Sequence, residues 1–296
     1  MAPASFNVAT DIPDLSGKVI FITGGNSGIG AETVRALAAH NPACIYLCTR
    51  KTASGDALVA SIKETVPEAN VAASSRLDIL ILNAGIAGVA PGLTKEGYEM
   101  HFGTNYVGHA MLTQLLLPKM LQTKREDPSA DLRIHVTASQ AGVQWAPGGG
   151  LALSYMRDPS PGSGGTQRYG HSKLANLLFM RKLSQQYPSI LIMASHPGTV
   201  KTESWGKVDG SKTLTVLKPL SSLVGVTSEE GAKNQLWCVT TQAGPNGVEK
   251  GKYYVPFAKE YDLKNKNPGN QLQADQLWHW TNDEFRKYGM PGWPEM

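Results

Sequence analysis

The sequence predicts an α/β protein, a doubly wound parallel sheet with helices on both faces. Two observations carry that reading. Short apolar runs alternate with longer amphipathic stretches, the pattern of parallel strands joined by crossover helices. The first run, Val19–Thr23 (VIFIT), breaks directly into glycines before a helical stretch.

In chain order, Val19–Thr23 reads as a buried strand. Ile29–His40 is a helix with Val34, Leu37 and Ala38 on one side. Cys44–Cys48 (CIYLC) is the second strand, and Ala57–Thr65 is helical. Asp78–Leu82 (DILIL) is a strand ending in Asn-Ala-Gly. Phe102–Gln122 is a long helix, and Arg133–Thr137 (RIHVT) the next strand. Tyr169–Tyr187 is a helix, followed by the strand Ile190–Ala194 and then His-Pro-Gly. Thr227 and Glu230 form a capping box for a helix reaching Thr240. Lys252–Val255 is the last strand, and Gln273–Lys287 a C-terminal helix whose Trp278, Trp280 and Phe285 read as packing groups. Gln144–Gln167 and Lys201–Gly225 lack a period and read as loops. No linker divides residues 1–296, so one domain is expected, with a substrate-loop region at about 201–226.

Composition narrows the function classes. The chain is 41% hydrophobic and 18% charged, as in a globular protein with a sizeable core. Its net charge of +4 is too small to argue for a nucleic-acid or membrane surface. Three cysteines read as reduced thiols of a cytoplasmic protein, because Cys44 and Cys48 are too far apart along a strand to bridge. No apolar run reaches the roughly 18 residues of a membrane span, and the first ten residues lack the pattern of a secretory signal. No His/Cys cluster has metal-ligand spacing, so no metal is expected.

The chemistry sits at the carboxyl ends of the strands. Gly24, Gly25, Asn26, Ser27, Gly28, Ile29 and Gly30 join the first strand to the first helix. A helix N-terminus offers unpaired N–H groups and a positive dipole end, and glycines let a pyrophosphate approach. Arg50 and Lys51 follow the second strand, where an adenosine ribose would lie. A basic pair there suits a 2′-phosphate, which favours NADP(H) over NAD(H). Tyr169 and Lys173 are four apart on one helix face, so the ammonium is placed to stabilise a phenolate. Ser139 lies just past a strand and is placed to donate to a carbonyl oxygen. Asn105 is a polar residue inside a helix, where its propensity is poor and partners are needed. His171, between Tyr169 and Lys173, reads as an exposed helix residue.

Taken together, Thr23–Gly30 (T-G-x-x-x-G-x-G), Asn83-Ala84-Gly85, Asn105, Ser139, Tyr169 with Lys173, and Pro197-Gly198 with Thr202 resemble the short-chain dehydrogenase/reductase family. The text Tyr169–Asn176 is similar to its retinol-dehydrogenase-like branch. The resemblance implies a Rossmann-type sheet and hydride transfer between NADP(H) and a carbonyl or alcohol carbon of a small-molecule substrate. It implies that Tyr169 is the acid/base, that Lys173 lowers its pKa and holds the nicotinamide ribose, and that Ser139 orients the carbonyl. It implies that Asn105 keeps a water in the proton relay, and that Val200 and Thr202 face the carboxamide. It also implies a homodimer through the helices Phe102–Gln122 and Tyr169–Tyr187. Trp145, Met156, Trp205 and Leu214 in the loops suggest an apolar substrate.

One departure matters. Only residues 51–82, 32 in number, separate Arg50 from Asn83. One helix fits there, but a third strand ending in Asp is missing. The expected sheet therefore lacks its third, edge strand, and Cys44–Cys48 becomes the edge. A right-handed crossover from the second strand back across the first would put the remaining helix on the opposite face from the first helix. Weakened cofactor binding relative to a full-length relative is also expected. The alternative reading is a catalytically impaired protein of this fold that senses a nucleotide or binds a partner.

Overall fold

The computed structural model describes residues 5–65, 74–159, 164–200, 225–264 and 266–295. A seven-stranded sheet runs β2-β1-β3-β4-β5-β6-β7. Its strands are β1 (Val19–Thr23), β2 (Cys44–Cys48), β3 (Ile79–Leu82), β4 (Arg133–Thr137), β5 (Leu191–Ser195), β6 (Tyr253–Val255) and β7 (Lys259–Glu260). The first six are parallel, and β7 folds back antiparallel on β6. The short hairpin strand β7 carries only Lys259 and Glu260, both exposed, so no apolar run announces it.

The helices are α1 (Val8–Asp11), α2 (Gly28–Ala38), α3 (Thr52–Thr65), α4 (Met100–Phe102), α5 (Gly108–Glu126), α6 (Ala141–Gln144), α7 (Gly165–Gln186), α8 (Ser228–Thr240) and α9 (Gln271–Arg286). Side chains alternate along each strand and so feed two layers. Leu80, Leu82, Ile134 and Val136 bury against residues of α5, α7 and α9, among them Leu117, Leu178 and Phe285. Ile20, Ile22, Ile79 and Ile81 bury on the other face with Val34, Leu37, Leu58 and Leu236. Helices thus cover both faces of the sheet, as expected. The Thr227 hydroxyl caps α8 by accepting the Glu230 N–H at 3.2 Å. Trp278 stacks on Trp293 and Trp280 packs edge-on to Phe102, so the aromatic residues of α9 are packing groups.

Among the described residues no strand lies between β2 and β3, and β2 pairs only with β1. Chain re-entry after this gap is held by a charge clasp. Arg76 donates to both oxygens of the fully buried Asp78, at 2.8 and 2.6 Å. Asp78 also accepts the Val19 N–H at 2.9 Å, which ties the start of β1 to that of β3.

Two expectations need correction. Helix α3 lies on the same face as α2, because Leu58 and Ile62 bury with Ile20, Ile22, Val34 and Leu37. The crossover from β2 back to β3 therefore has the opposite hand to β1–α2–β2. Burying two large aliphatic side chains is worth about 1.5–3 kcal/mol each, and that burial overrides the crossover preference. Second, the long helix before β4 is not uniform. Gly103–Val107 forms a π turn between α4 and α5, and Asn105 sits in it. Among the described residues, no helix is long and apolar enough to cross a membrane.

Candidate active site

The glycine-rich turn joins the end of β1 to the start of α2. Gly24 has φ +65°, and a Cβ there would stand 2.9 Å from the Ala84 Cα, so only glycine lets β1 and β3 end side by side. Asn26 lies in the turn and donates to the Ser54 hydroxyl of α3 at 3.0 Å. Ser27 is the N-cap of α2 but makes no side-chain cap. The N–H groups of Gly28, Ile29 and Gly30 thus stand in the first helical turn without a side-chain acceptor at the cap, which fits a phosphate group.

Asn83, Ala84 and Gly85 are fastened to that turn. The Thr23 hydroxyl accepts the N–H groups of Asn83 and Ala84, each at 3.0 Å, and the Asn83 amide donates to the Thr23 carbonyl at 2.9 Å. The same hydroxyl lies 2.9 Å from His109 Nε2. Its acceptor sites being taken, Thr23 donates to His109, whose Nδ1 then carries the ring proton and donates to the Asn105 carbonyl at 3.1 Å. Burial, then the Lys173 cation, hold the His109 pKa down to about 3, so it stays neutral. This histidine was missed in the sequence because it reads as one more residue of a helix face.

Asn105 is fully buried. Its Oδ1 accepts the Ile86 N–H at 2.8 Å, and its amide donates to the Ile86 carbonyl and the Ser172 hydroxyl, both at 3.0 Å. What the geometry shows is a clamp that joins the loop past Gly85 to α7. The π turn supplies the extra residue that aims this side chain inward.

Helix α7 begins at Gly165, four residues ahead of the expected start, so Tyr169 stands in its second turn. The Lys173 Nζ lies 5.8 Å from the centre of the Tyr169 ring and donates to the Thr137 carbonyl at 2.8 Å. Burial lowers the Lys173 pKa to about 8. Burial also raises the Tyr169 pKa, and a hydrogen bond from Ser139 partly offsets this. In the protein alone, then, Tyr169 is a phenol held above its ordinary range, where the sequence had suggested a phenol tuned downward by Lys173. Ser139 is buried at the end of β4. Its turn touches α7 directly, since a Cβ on Gly142 would stand 2.7 Å from the Lys173 carbonyl carbon.

His171 is not exposed. It is 2% accessible, accepts the Ala152 N–H at 3.1 Å on Nε2, and packs on Phe102 and Tyr155. Around the rim, Arg50 and Lys51 are exposed just past the end of β2. Pro197 and Gly198 follow β5, and Val200 is buried and bridges to Val226. Thr202 and most of the 201–226 loop, with Trp205 and Leu214, lie outside the described residues. Met156 is fully buried and Trp145 partly so. Among the described residues no cluster of three acidic, His or Cys side chains could hold a metal ion.

A site of this build, with a glycine turn over a helix N-terminus and a Tyr–Lys pair on the neighbouring helix, belongs to a dinucleotide-dependent oxidoreductase class. The short chain dehydrogenase family model matches residues 18–73. A short-chain dehydrogenase/reductase of Armillaria gallica is 30% identical over 94% of this chain and 93% of its own length. An uncharacterized oxidoreductase of Schizosaccharomyces pombe is 34% identical over 95% and 89%. Human retinol dehydrogenase 12 is 30% identical over 90% and 85%. The chain belongs to the short-chain dehydrogenase/reductase family. In fold it is similar to a Mycobacterium paratuberculosis protein, with TM-score 0.69, 24% identity, and coverage of 95% of this chain and 98% of that one. It is also similar to a short chain dehydrogenase of Shigella flexneri complexed with NADP, with TM-score 0.57, 19% identity, and coverage of 82% and 98%.

Proposed function

We propose that the protein is an NADP(H)-dependent oxidoreductase that moves a hydride between nicotinamide and a carbonyl or alcohol carbon of a small, apolar substrate. The observation that carries this reading is Tyr169, held beside Ser139 and one helical turn from Lys173, on the sheet edge where the glycine turn opens.

The residues present fit the cofactor. Gly24 and the uncapped start of α2 leave room and N–H donors for a pyrophosphate. Arg50 and Lys51, exposed past the end of β2, offer cations to a 2′-phosphate, and the Shigella fold neighbour carries NADP. The bound nicotinamide supplies or takes the hydride. Tyr169, with its pKa raised by burial, is protonated at neutral pH and suits proton donation to an oxygen that gains charge during reduction. Ser139 donates to the same carbonyl oxygen and orients it. Lys173 stays largely protonated at neutral pH and favours the phenolate left after proton transfer. Asn105 and His109 keep the loop past Gly85, the glycine turn and α7 in register.

Titration of the protein with NADPH and NADH, followed by nicotinamide fluorescence, tests the reading. Saturable NADPH binding, at least about tenfold tighter than NADH, is the expected result, since a charge-assisted contact exceeds about 1.4 kcal/mol. Folded protein that binds neither would overturn it.

A further inference from the structure

A segment beside Tyr169 has no part in the scheme above. Residues 145–157 leave the end of α6, and their regular structure is the one short helical turn Leu153–Met156. Ties to neighbouring elements therefore set their place. Two such ties reach the residues just after Tyr169. A Cβ on Gly170 would stand 2.6 Å from the Trp145 carbonyl carbon, so the segment's backbone rests directly on α7. The Ala152 N–H donates to His171 Nε2 at 3.1 Å, and the Tyr155 and His171 rings lie 5.6 Å apart.

The remaining ties lead to the C-terminal part of the chain. Gln273, in the first turn of α9, meets the segment twice. Its Oε1 accepts the Leu151 N–H at 3.0 Å, and its Nε2 donates to the Gly149 carbonyl at 2.9 Å. Accepting at one atom and donating at the other is what a side-chain amide can do and a carboxylate cannot. Gly150 lies between the two contacts with φ +84°. A Cβ there would stand 2.3 Å from Gln273 Oε1, so glycine lets the amide seat. Asn267 donates to the Pro147 carbonyl at 3.3 Å, and Arg157 pairs with the buried Glu284 of α9. One side of the segment is thus held by α9, and the other lies on Gly170 and His171.

We propose that Gln273 is a positioning residue for Tyr169. By fixing residues 149–151 it keeps the segment against Gly170 and His171, and so holds the phenol in register with Ser139. This rests on the reading of Tyr169 as the acid in carbonyl reduction. Rate is lost when a proton donor shifts by a fraction of an ångström, so a tie this close to Tyr169 bears on turnover.

Reduction of octanal by NADPH is the activity probe, and Gln271 supplies the control. Also on α9, Gln271 exchanges two amide hydrogen bonds with Gln185, at 2.8 and 3.1 Å, near the far end of α7 from Tyr169. Gln273→Leu should lower kcat about tenfold and leave the NADPH dissociation constant within about twofold. Gln271→Leu should leave both within about twofold. An unchanged kcat in Gln273→Leu, or an equal loss in Gln271→Leu, overturns the proposal. If Gln273→Leu does not fold, Gln273→Glu takes its place. It keeps the acceptor for Leu151, loses the donor to Gly149, and puts a favourable charge in the first turn of α9. Its kcat should fall while its urea midpoint does not, a split that a merely structural role would not produce. An unchanged kcat there overturns the proposal as well. A second measurement needs no turnover. Carbon NMR of the Tyr169 Cζ in protein saturated with NADP, assigned with Tyr169→Phe, should show the resonance displaced in the Gln273 variant and unmoved in Gln271→Leu. An unmoved resonance in the Gln273 variant overturns the proposal. If the wild-type protein binds NADPH but leaves octanal unreduced, that counts against the reduction reading alone, and the Tyr169 resonance decides the positioning.

Discussion

The polar groups that fasten the Tyr169 side together are buried, whereas those around Arg50 stand in solvent. Asn105, His109, Ser139 and Lys173 are all buried and each has a hydrogen-bond partner. Arg50 and Lys51 are exposed past an edge strand that lacks an outer neighbour among the described residues. The two sides answer different demands. Proton transfer needs atoms held within tenths of an ångström in a dry site. Holding a phosphate needs charge, and an exposed side chain supplies that at little structural cost.

The comparison can be broken first at Tyr169. Tyr169→Phe should lower kcat by about 1000-fold, within the range for losing a positioned acid, and leave the NADPH dissociation constant within about twofold. Comparable losses in both would mean that the two sides are not separable.

Acid comes next. Burial holds the pKa of His109 and His135 down to about 3 and that of His171 down to about 4, against an ordinary value of 6.5. Below 6.5 the unfolded chain takes up protons that the folded chain refuses. Stability is thus complete above that pH and is lost as pH falls toward the folded values. Three such groups together give a slope approaching about 4 kcal/mol per pH unit. Urea unfolding between pH 8 and about 5 measures it, and a flat profile down to pH 5 refutes the neutral, buried assignment.

At the junction between the two sides, Arg76→Ala leaves the buried Asp78 without its bidentate partner and should cost about 3 kcal/mol of stability. A loss under about 1 kcal/mol would show that Lys18, 3.6 Å from Asp78, suffices. The smallest effect is expected at the exposed side. Arg50→Ala should weaken NADPH about tenfold and leave NADH unchanged, which a paired fluorescence titration checks. Equal weakening of both would sever Arg50 from the 2′-phosphate.

Much of this was legible in the sequence, and the exceptions share a cause. The runs VIFIT and ILIL announced β1 and β3 because central parallel strands are apolar on both faces, and the apolar stretches in CIYLC and RIHVT marked the edge strand β2 and β4. The glycine turn and Tyr169 with Lys173 stood out because their chemistry is local in the chain. The start of α7 was hidden by a Gly- and Ser-rich approach that reads as loop. Burial of His171, the Thr23–His109 contact and the Glu99–Arg168 pair join residues far apart in sequence, and no periodicity encodes them. The face taken by α3 followed from Leu58 and Ile62 meeting the isoleucines of β1, a packing term that a handedness rule does not contain. The π turn at Asn105 leaves no mark in composition.

The edge position of β2 bears on how the protein opens. Strand β2 is bonded to β1 alone, so its amides can exchange with solvent through a partial opening that leaves β3 to β6 closed. On the proposed function, a dinucleotide bound from the start of α2 to Arg50 would span that opening and bind only the closed form. Its presence would then multiply the protection of the Ile45 and Leu47 amides by one plus the ratio of its free concentration to its dissociation constant. A cofactor so placed would take over part of the stapling that an outer strand performs in a wider sheet.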